Sequence, residues 1–379
     1  MPPRWLIALL SLFLSLALAP AAAAQSPINN HPIPNQQSLI THSLLSDDLP
    51  ALCPPASQLR FEPGCPDLGP GAYLRQALDA GLPYPLPAVV FTPTLPHRGL
   101  TPHAYGRVLT DTAGVYRHPL EALAGLPPLR RFEKGFVFVS VLGRVSLAGA
   151  EFYQVNRSEY MPAAAVGDAR PSGYTGQFFA APPPAPVGWL INTVQVSATP
   201  GAPPDAPYAA RYQAFQRLGA QRVGEWDWYE IAPGQWVEQR NVALVQPGPP
   251  PGAPPDVIAV DTYEQSLGVY RGGQLVFATL VSSGSRAFPT RPGTFQIWSK
   301  FNYGRMTGAY FDDRRDYYYL EDVPWILYYD GDRALHGAYW HDNFGIKSSH
   351  GCVNLSPRDA RWLFDFAQIG DTVMVFSSR

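Results

Sequence analysis

Cysteine is almost missing from this chain, with three among 379 residues. That excludes a disulfide-dense scaffold, whose composition would be visibly cysteine-rich. Charge is scarce as well: charged residues make up 15% and the net charge is -2. No basic run with interleaved aromatics appears, so nothing argues for nucleic acid or another polyanion as partner. Long apolar runs are confined to one block, residues 5–19, which is too short to span a bilayer comfortably. It follows Met1-Pro2-Pro3-Arg4 and precedes Ala22-Ala23-Ala24, the order of a removable secretory signal over residues 1–24. The mature chain is expected to start at Gln25 and to be exported, to a periplasm, a cell wall or the medium. No cysteine follows the cleavage site, so a lipid anchor is not expected there.

What is present is ample material for packed cores, 46% apolar residues with 13% aromatics, spread over two or three domains. The compositional outlier is proline, at 42 residues. It concentrates at 181–187, 200–207 and 247–255, and such tracts read as extended spacers or loops. The last one is taken as a linker ahead of a domain over residues 256–379. Within that domain the runs 257–260, 267–270 and 275–281 alternate like strands, the last two joined by Gly272-Gly273 as a tight hairpin. Ser356-Pro357-Arg358-Asp359 has the order of a helix start, with Trp362, Leu363 and Phe366 facing inward, and Gly370-Asp371 turns into a final strand over 372–376.

Compartment and cysteine count together single out one thiol. Cys53 and Cys65 lie close together in a Pro- and Gly-rich segment that lacks a core, where a disulfide would act as a staple. Cys352 is then left over. It sits in Ser349-His350-Gly351-Cys352-Val353-Asn354, with His336-Gly337 upstream. A buried inert thiol is the plain alternative. A thiol attacks an amide as a thiolate, and a nearby imidazole that takes the proton or stabilises the ion pair is the usual way to reach it. The pattern therefore reads as a cysteine acyl-transfer site. A zinc site from His336, His341, His350 and Cys352 lacks the close Cys-x-x-Cys or His-x-x-x-His spacing. A papain-like peptidase would place its cysteine before its histidine.

Upstream, Phe152-Tyr153-Gln154-Val155 with Tyr160-Met161 and Val166 lines up with Trp228-Tyr229-Glu230-Ile231, Trp236-Val237 and Val242 at an offset of 76 residues. Short aromatic strands so spaced suggest two small β barrels, at 101–170 and 186–246, which loosely resemble bacterial SH3-like modules. Such modules often bind wall polymers; equally, the aromatics fill two small cores. Residues 25–100 are expected to hold a disordered start and a helix near Tyr73 to Ala80.

The C-terminal segment resembles a known family. Val257 to Val260 with the hairpin, Gly284, Pro289-Thr290-Arg291-Pro292-Gly293-Thr294-Phe295, His336-Gly337 and the Ser349 to Asn354 motif are similar to the L,D-transpeptidase catalytic domain, also called the YkuD domain. Two departures are the 12 residues between His336 and Ser349 and the arginine after Thr290. The resemblance implies a mainly β chain: a β-sandwich-like catalytic domain with one or two short helices after the two barrels. It implies Cys352 as nucleophile, His336 as general base, and the Gly337 carbonyl as orienter of the imidazole. It places His350 in the pocket and the backbone N–H groups around Gly351 and Cys352 as oxyanion donors. Ser349 and Asn354 are read as holding the loop, with ordinary turn stabilisation equally open. Trp340, His341 and a lid over 306–319 carrying Tyr318 are candidates for the rim; a solvated hairpin is the alternative for the latter. The implied reaction joins two peptidoglycan stem peptides, donor and acceptor, by a 3→3 cross-link through a thioester, without cofactor or metal. Water as acceptor would make a carboxypeptidase instead, and a non-catalytic wall-binding protein would lack Cys352 or His336. Wall glycan is a further candidate partner for the barrels, and a carbapenem is the expected covalent inhibitor.

Overall fold

The computed structural model describes residues 70–379, apart from 97, 98, 112 and 206. The expected signal segment and the Cys53–Cys65 pairing lie outside the described residues. A first helix, α1 (Pro70–Asp79), covers the region where the sequence suggests one. Among the described residues no helix is long and apolar enough to cross a membrane.

The 76-residue sequence repeat is a repeat of structure. Its first copy contains β1 (Ala104–Val108), the short α2 (Pro119–Leu123), β2 (Phe136–Val141), β3 (Gly143–Leu147), β4 (Ala150–Asn156), β5 (Glu159–Pro162) and β6 (Val166–Ala169). The second contains β7 (Val187–Leu190), β8 (Ala214–Gln216), β9 (Gly219–Val223), β10 (Trp226–Ala232), β11 (Gln235–Glu238) and β12 (Val242–Val245). From β3 to β6, every strand boundary recurs 76 residues later, including the 3₁₀ turn before the last strand. Both copies also shift register at matching places, between Gln154 and Asn156 and between Glu230 and Ala232.

Register agrees between the copies where the sequence offers no match. In the first, β1 lies between β2 and β6, with Gly106 opposite Val139 and Asp168. In the second, β7 lies between β8 and β12, with Gly188 opposite Phe215 and Leu244. A Cβ on Gly106 would meet Val166 Cγ1 at 2.2 Å, and one on Gly188 the Ala243 carbonyl at 2.5 Å. Only glycine admits so close an approach. The outer faces differ. Val145, Phe152 and Tyr160 are buried under Val89 and Ala122, whereas the corresponding Gln221, Trp228 and Trp236 remain at least partly exposed.

The C-terminal part is a sandwich. It runs through β13 (Val257–Asp261), β14 (Ser266–Arg271), β15 (Gln274–Leu280), β16 (Gly293–Gln296), β17 (Ser299–Gly308), β18 (Tyr318–Asp330), β19 (Arg333–Gly337), β20 (Val353–Leu355), α3 (Pro357–Phe366) and β21 (Thr372–Phe376). Gly272 and Gly273, at φ 56° and 77°, make the tight hairpin turn that their positive dihedrals allow. Ser356 caps α3, its Oγ accepting from the Asp359 N–H at 3.2 Å. Leu363 is fully buried, with Trp362 and Phe366 packed at the margin of the core.

Period-2 alternation sends neighbouring residues of one strand to two different cores. In β13, Ile258 and Val260 face Leu327, Leu335, Val353 and α3, while Val257 and Ala259 face Val187, Trp189, Ala243 and Val245 of the second repeat. A strand buried on both faces reads as a continuous apolar run, as Val257-Ile258-Ala259-Val260 does. Neither repeat therefore stands off as a separate bead. The second packs face-on against the sheet of β15, β14, β13, β21 and β16. The first joins the other sheet edge to edge, in the order β20, β19, β18, β2, β1, β6, with Tyr318, Tyr319 and Leu320 paired parallel to Phe136, Val137 and Phe138. The proline tract 247–255 is likewise anchored: the Tyr270 hydroxyl donates to the Gln246 carbonyl at 2.8 Å and the Gly273 N–H to the Pro255 carbonyl at 2.9 Å.

Candidate active site

His336 and Asn354 are placed by the parallel pairing of β19 and β20, which sets Leu335 against Val353, His336 against Asn354 and Gly337 against Leu355. Cys352 enters β20 one residue earlier, so the thiol lies along β19. Its Sγ is 3.9 Å from the Asp332 carbonyl and in reach of the Ala334 N–H. The loop before it is tied to the end of β15. The Ser349 N–H donates to the Ser283 carbonyl at 3.1 Å, the Ser285 N–H to the Ser349 carbonyl at 2.9 Å, and Asn354 and Ser282 exchange two backbone bonds at 2.9 Å. Thr290 closes the arrangement, its hydroxyl accepting from the Gly284 N–H at 2.8 Å and donating to the Gly351 carbonyl at 2.9 Å. A Cβ on Gly284 would lie 2.2 Å from the Phe288 carbonyl. The glycine of the motif is thus required by the close chain crossing.

Ser349 Oγ donates to the Cys352 carbonyl at 2.5 Å and accepts from the Gly351 N–H at 3.1 Å, bonds that span the turn. This corrects one expectation. The Gly351 N–H is occupied by Ser349 and is not an open oxyanion donor. Asn354 holds a different group from the one anticipated, its side-chain amide lying 2.9 Å from His341 Nε2. His341 Nδ1 accepts from the Asn343 N–H at 3.0 Å, and its Nε2 faces the Asn354 amide nitrogen.

The Gly337 carbonyl is 3.3 Å from His336 Nδ1. Trp340 packs beside the same ring at 5.7 Å. Burial pushes the Cys352 thiol up to about 11, with Asp332 adding to the effect and the Ala334 N–H and Arg333 opposing it. Burial also drives His336 down to about 4, against the pull of the Gly337 carbonyl, and His341 to about 4. Both shifts favour the neutral thiol and the neutral imidazole over the ion pair. Desolvation disfavours both ions and outweighs the opposing charge of Arg333 at the thiol.

Thiol and imidazole border a cavity of about 870 Å³. One wall is the β17–β18 hairpin, which the sequence marks as lid or solvated loop; here its tip leans on the motif. His350 is stacked on Phe288 at 4.5 Å and lies 5.8 Å from Tyr310 and 5.1 Å from Tyr318, with Asp316 3.8 Å from its Nε2. Arg107 and Phe136 of the first repeat also line the cavity. Sequence reading missed these two, along with Phe288, Asp330 and Arg333. Only Arg291, noted as a departure, hinted at the last pair: it grips the buried Asp330 in a bidentate ion pair, its Nε 3.0 Å from Oδ2. No group of three or more histidine, cysteine or acidic side chains suited to a metal occurs among the described residues.

With strands, motif and geometry placed, comparison adds a family. Residues 255–375 match the model of YkuD, the L,D-transpeptidase catalytic domain. L,D-transpeptidase 2 of Mycobacterium tuberculosis is 30% identical over 134 residues, covering 32% of each chain. L,D-transpeptidase 1 of the same organism is 32% identical over 117 residues, 28% of this chain and 45% of its own. The chain thus spans less than half the length of the curated relatives it matches. Among solved structures, the catalytic domain of the Enterococcus faecium L,D-transpeptidase aligns over 33% of this chain and 100% of its own, at 28% identity and a TM-score of 0.30. An L,D-transpeptidase from Stackebrandtia nassauensis aligns over 32% and 56%, at 30% identity and a TM-score of 0.25.

Proposed function

We propose that the chain is an exported L,D-transpeptidase that forms 3→3 peptidoglycan cross-links through a thioester on Cys352. The observation that carries this reading is the placement of Cys352 and His336 on adjoining strands at the floor of one cavity, within a YkuD domain. Cys352 Sγ attacks the carbonyl carbon of the amide after the third residue of a donor stem peptide. His336 takes the thiol proton during the attack, since no ion pair stands ready. It then passes that proton to the departing amine of the terminal residue. An amine on a second stem attacks the thioester, loses a proton to His336 and restores the thiol. The Cys352 N–H is the remaining backbone candidate for the oxyanion, given that Ser349 occupies the one on Gly351.

The two repeats are read as SH3-like modules. Trp226, Trp228 and Trp236 on the outer face of the second, with Arg240 4.3 Å over the Trp226 ring, suit stacking on a sugar of the wall glycan.

A solved L,D-transpeptidase is in complex with imipenem, which makes that carbapenem the probe. Intact mass after incubation should show one adduct on the wild type, none on Cys352→Ala and slow formation on His336→Ala. Muropeptides then decide the acceptor, dimers for an amine and trimmed monomers for water. A folded wild type with a free Cys352 thiol and no adduct would overturn the assignment.

A further inference from the structure

Arg333 is the residue of the cavity whose bonding is least explained by the fold. The buried carboxylate beside it, Asp330, is 5% exposed and already held by both nitrogens of Arg291. Arg333 adds only a single Nη1 contact, 3.3 Å from Asp330 Oδ2. Two guanidinium groups thus share one carboxylate, and the trio keeps one surplus positive charge.

The Arg333 side chain is 34% exposed, but its Nε is turned away from solvent. That Nε makes no hydrogen bond, which a fold does not normally leave uncompensated. The side chain lies against Gly351, where an added Cβ would come 3.2 Å from Nε. Pinned at Nη1 and along Nε, the guanidinium is left with Nη2 and its charge for the cavity that it lines. The thiol is immediately beside it. Cys352 Sγ touches β19 at the Asp332 carbonyl and the Ala334 N–H, the two backbone groups flanking Arg333. The facing carboxylate, Asp332, is exposed and screened by water.

We infer that Arg333 forms an anion subsite next to the Cys352 thiol, which takes a carboxylate lying beside the bond under attack. This rests on the transpeptidase reading and sharpens it. When the leaving residue is the last of the stem, its free carboxylate lies two bonds from the scissile nitrogen. A cation fixed beside the nucleophile then selects the terminal amide over internal ones. A guanidinium suits a planar carboxylate better than an ammonium does.

The test uses the full chain and two alkylating reagents of nearly the same shape, iodoacetate and neutral iodoacetamide, read on the peptide containing Cys352. Both report the same thiolate, so any change in its ionisation cancels in the ratio of rates. Replacing Arg333 by Gln should lower the iodoacetate-to-iodoacetamide ratio about ten-fold at low salt, and Arg333→Lys should restore most of it. Arg291 keeps Asp330 paired in either variant, so the fold is retained. A second arm compares a donor peptide ending in a free carboxylate with its C-terminal amide. The wild type should prefer the acid through KM, and Arg333→Gln should lose that preference. An unchanged alkylation ratio in Arg333→Gln overturns the subsite. No acyl-enzyme from either peptide, with the ratio still falling, overturns the transpeptidase reading and leaves the subsite standing.

Discussion

The Cys352 thiol rests against the Asp332 carbonyl, 3.9 Å away, on the backbone of the strand that also carries His336. A thiol turned toward a carbonyl is stabilised as S–H, and burial pushes its ionisation up to about 11. The alkylation rate of Cys352 by iodoacetamide should accordingly climb about ten-fold per pH unit from 7 to 10, because thiolate is the reacting form. Rates measured across that range would contradict the neutral pair if they levelled off near pH 7.

The two low-lying histidines make the fold acid-sensitive. Unfolded, each binds a proton near 6.5; folded, His336 and His341 do so only near 4. Between those values the unfolded chain holds more protons, so stability falls as pH drops from 6.5 to 4 and is fully present above it. Each contributes on the order of 3 kcal/mol to the change. Urea denaturation at pH 7, 5.5 and 4.5 should show the midpoint moving steadily down, and His341→Asn should flatten part of that slope.

Asp359 gathers three bonds from two distant segments of the chain. Its carboxylate accepts from Thr175 Oγ1 at 3.0 Å, the Gly176 N–H at 3.0 Å and Thr279 Oγ1 at 2.6 Å, all beneath α3. Asp359→Ala strands these buried donors and should cost about 3 kcal/mol or more of unfolding free energy. Asp359→Asn keeps an acceptor oxygen and should cost less. Equal losses for the two, by chemical denaturation, would show that charge rather than donor satisfaction matters.

Glu321 fastens the first repeat to the hairpin wall. Its Oε2 accepts from the Ser140 N–H at 3.0 Å and its Oε1 from the Tyr319 hydroxyl at 2.9 Å, just past the last paired residues of β18 and β2. Glu321→Ala should raise hydrogen exchange at Tyr318, Tyr319 and Leu320 while leaving α3 protected. Uniform protection in that variant would mean the strand pairing holds without the side chain.

Much of this was legible because it is local. The Gly272-Gly273 turn, the Ser356 cap and the apolar run of β13 are each written within a few residues, and the 76-residue offset marked strands later found at matching boundaries. The motif around Cys352 also named the residues that meet across β19 and β20. Other features depend on partners far apart in the chain. The parallel pairing of Phe136–Phe138 with Tyr318–Leu320 has no composition of its own. Nor does Arg291 announce that it will satisfy Asp330 and so leave Arg333 unspent. The loss of the Gly351 N–H as a donor follows from a Ser349 rotamer, which no spacing encodes.

The pairing of β2 with β18 bears on how this chain could have been assembled from parts. The segment recognisable as a family domain begins at residue 255, yet a strand within it completes its hydrogen bonds with residues 136–138. Cutting the chain at the similarity boundary would therefore expose a sheet edge beside the cavity that Cys352 and His336 line. An exchange of the first repeat for another module would have to bring a strand of the same direction and register to cover that edge.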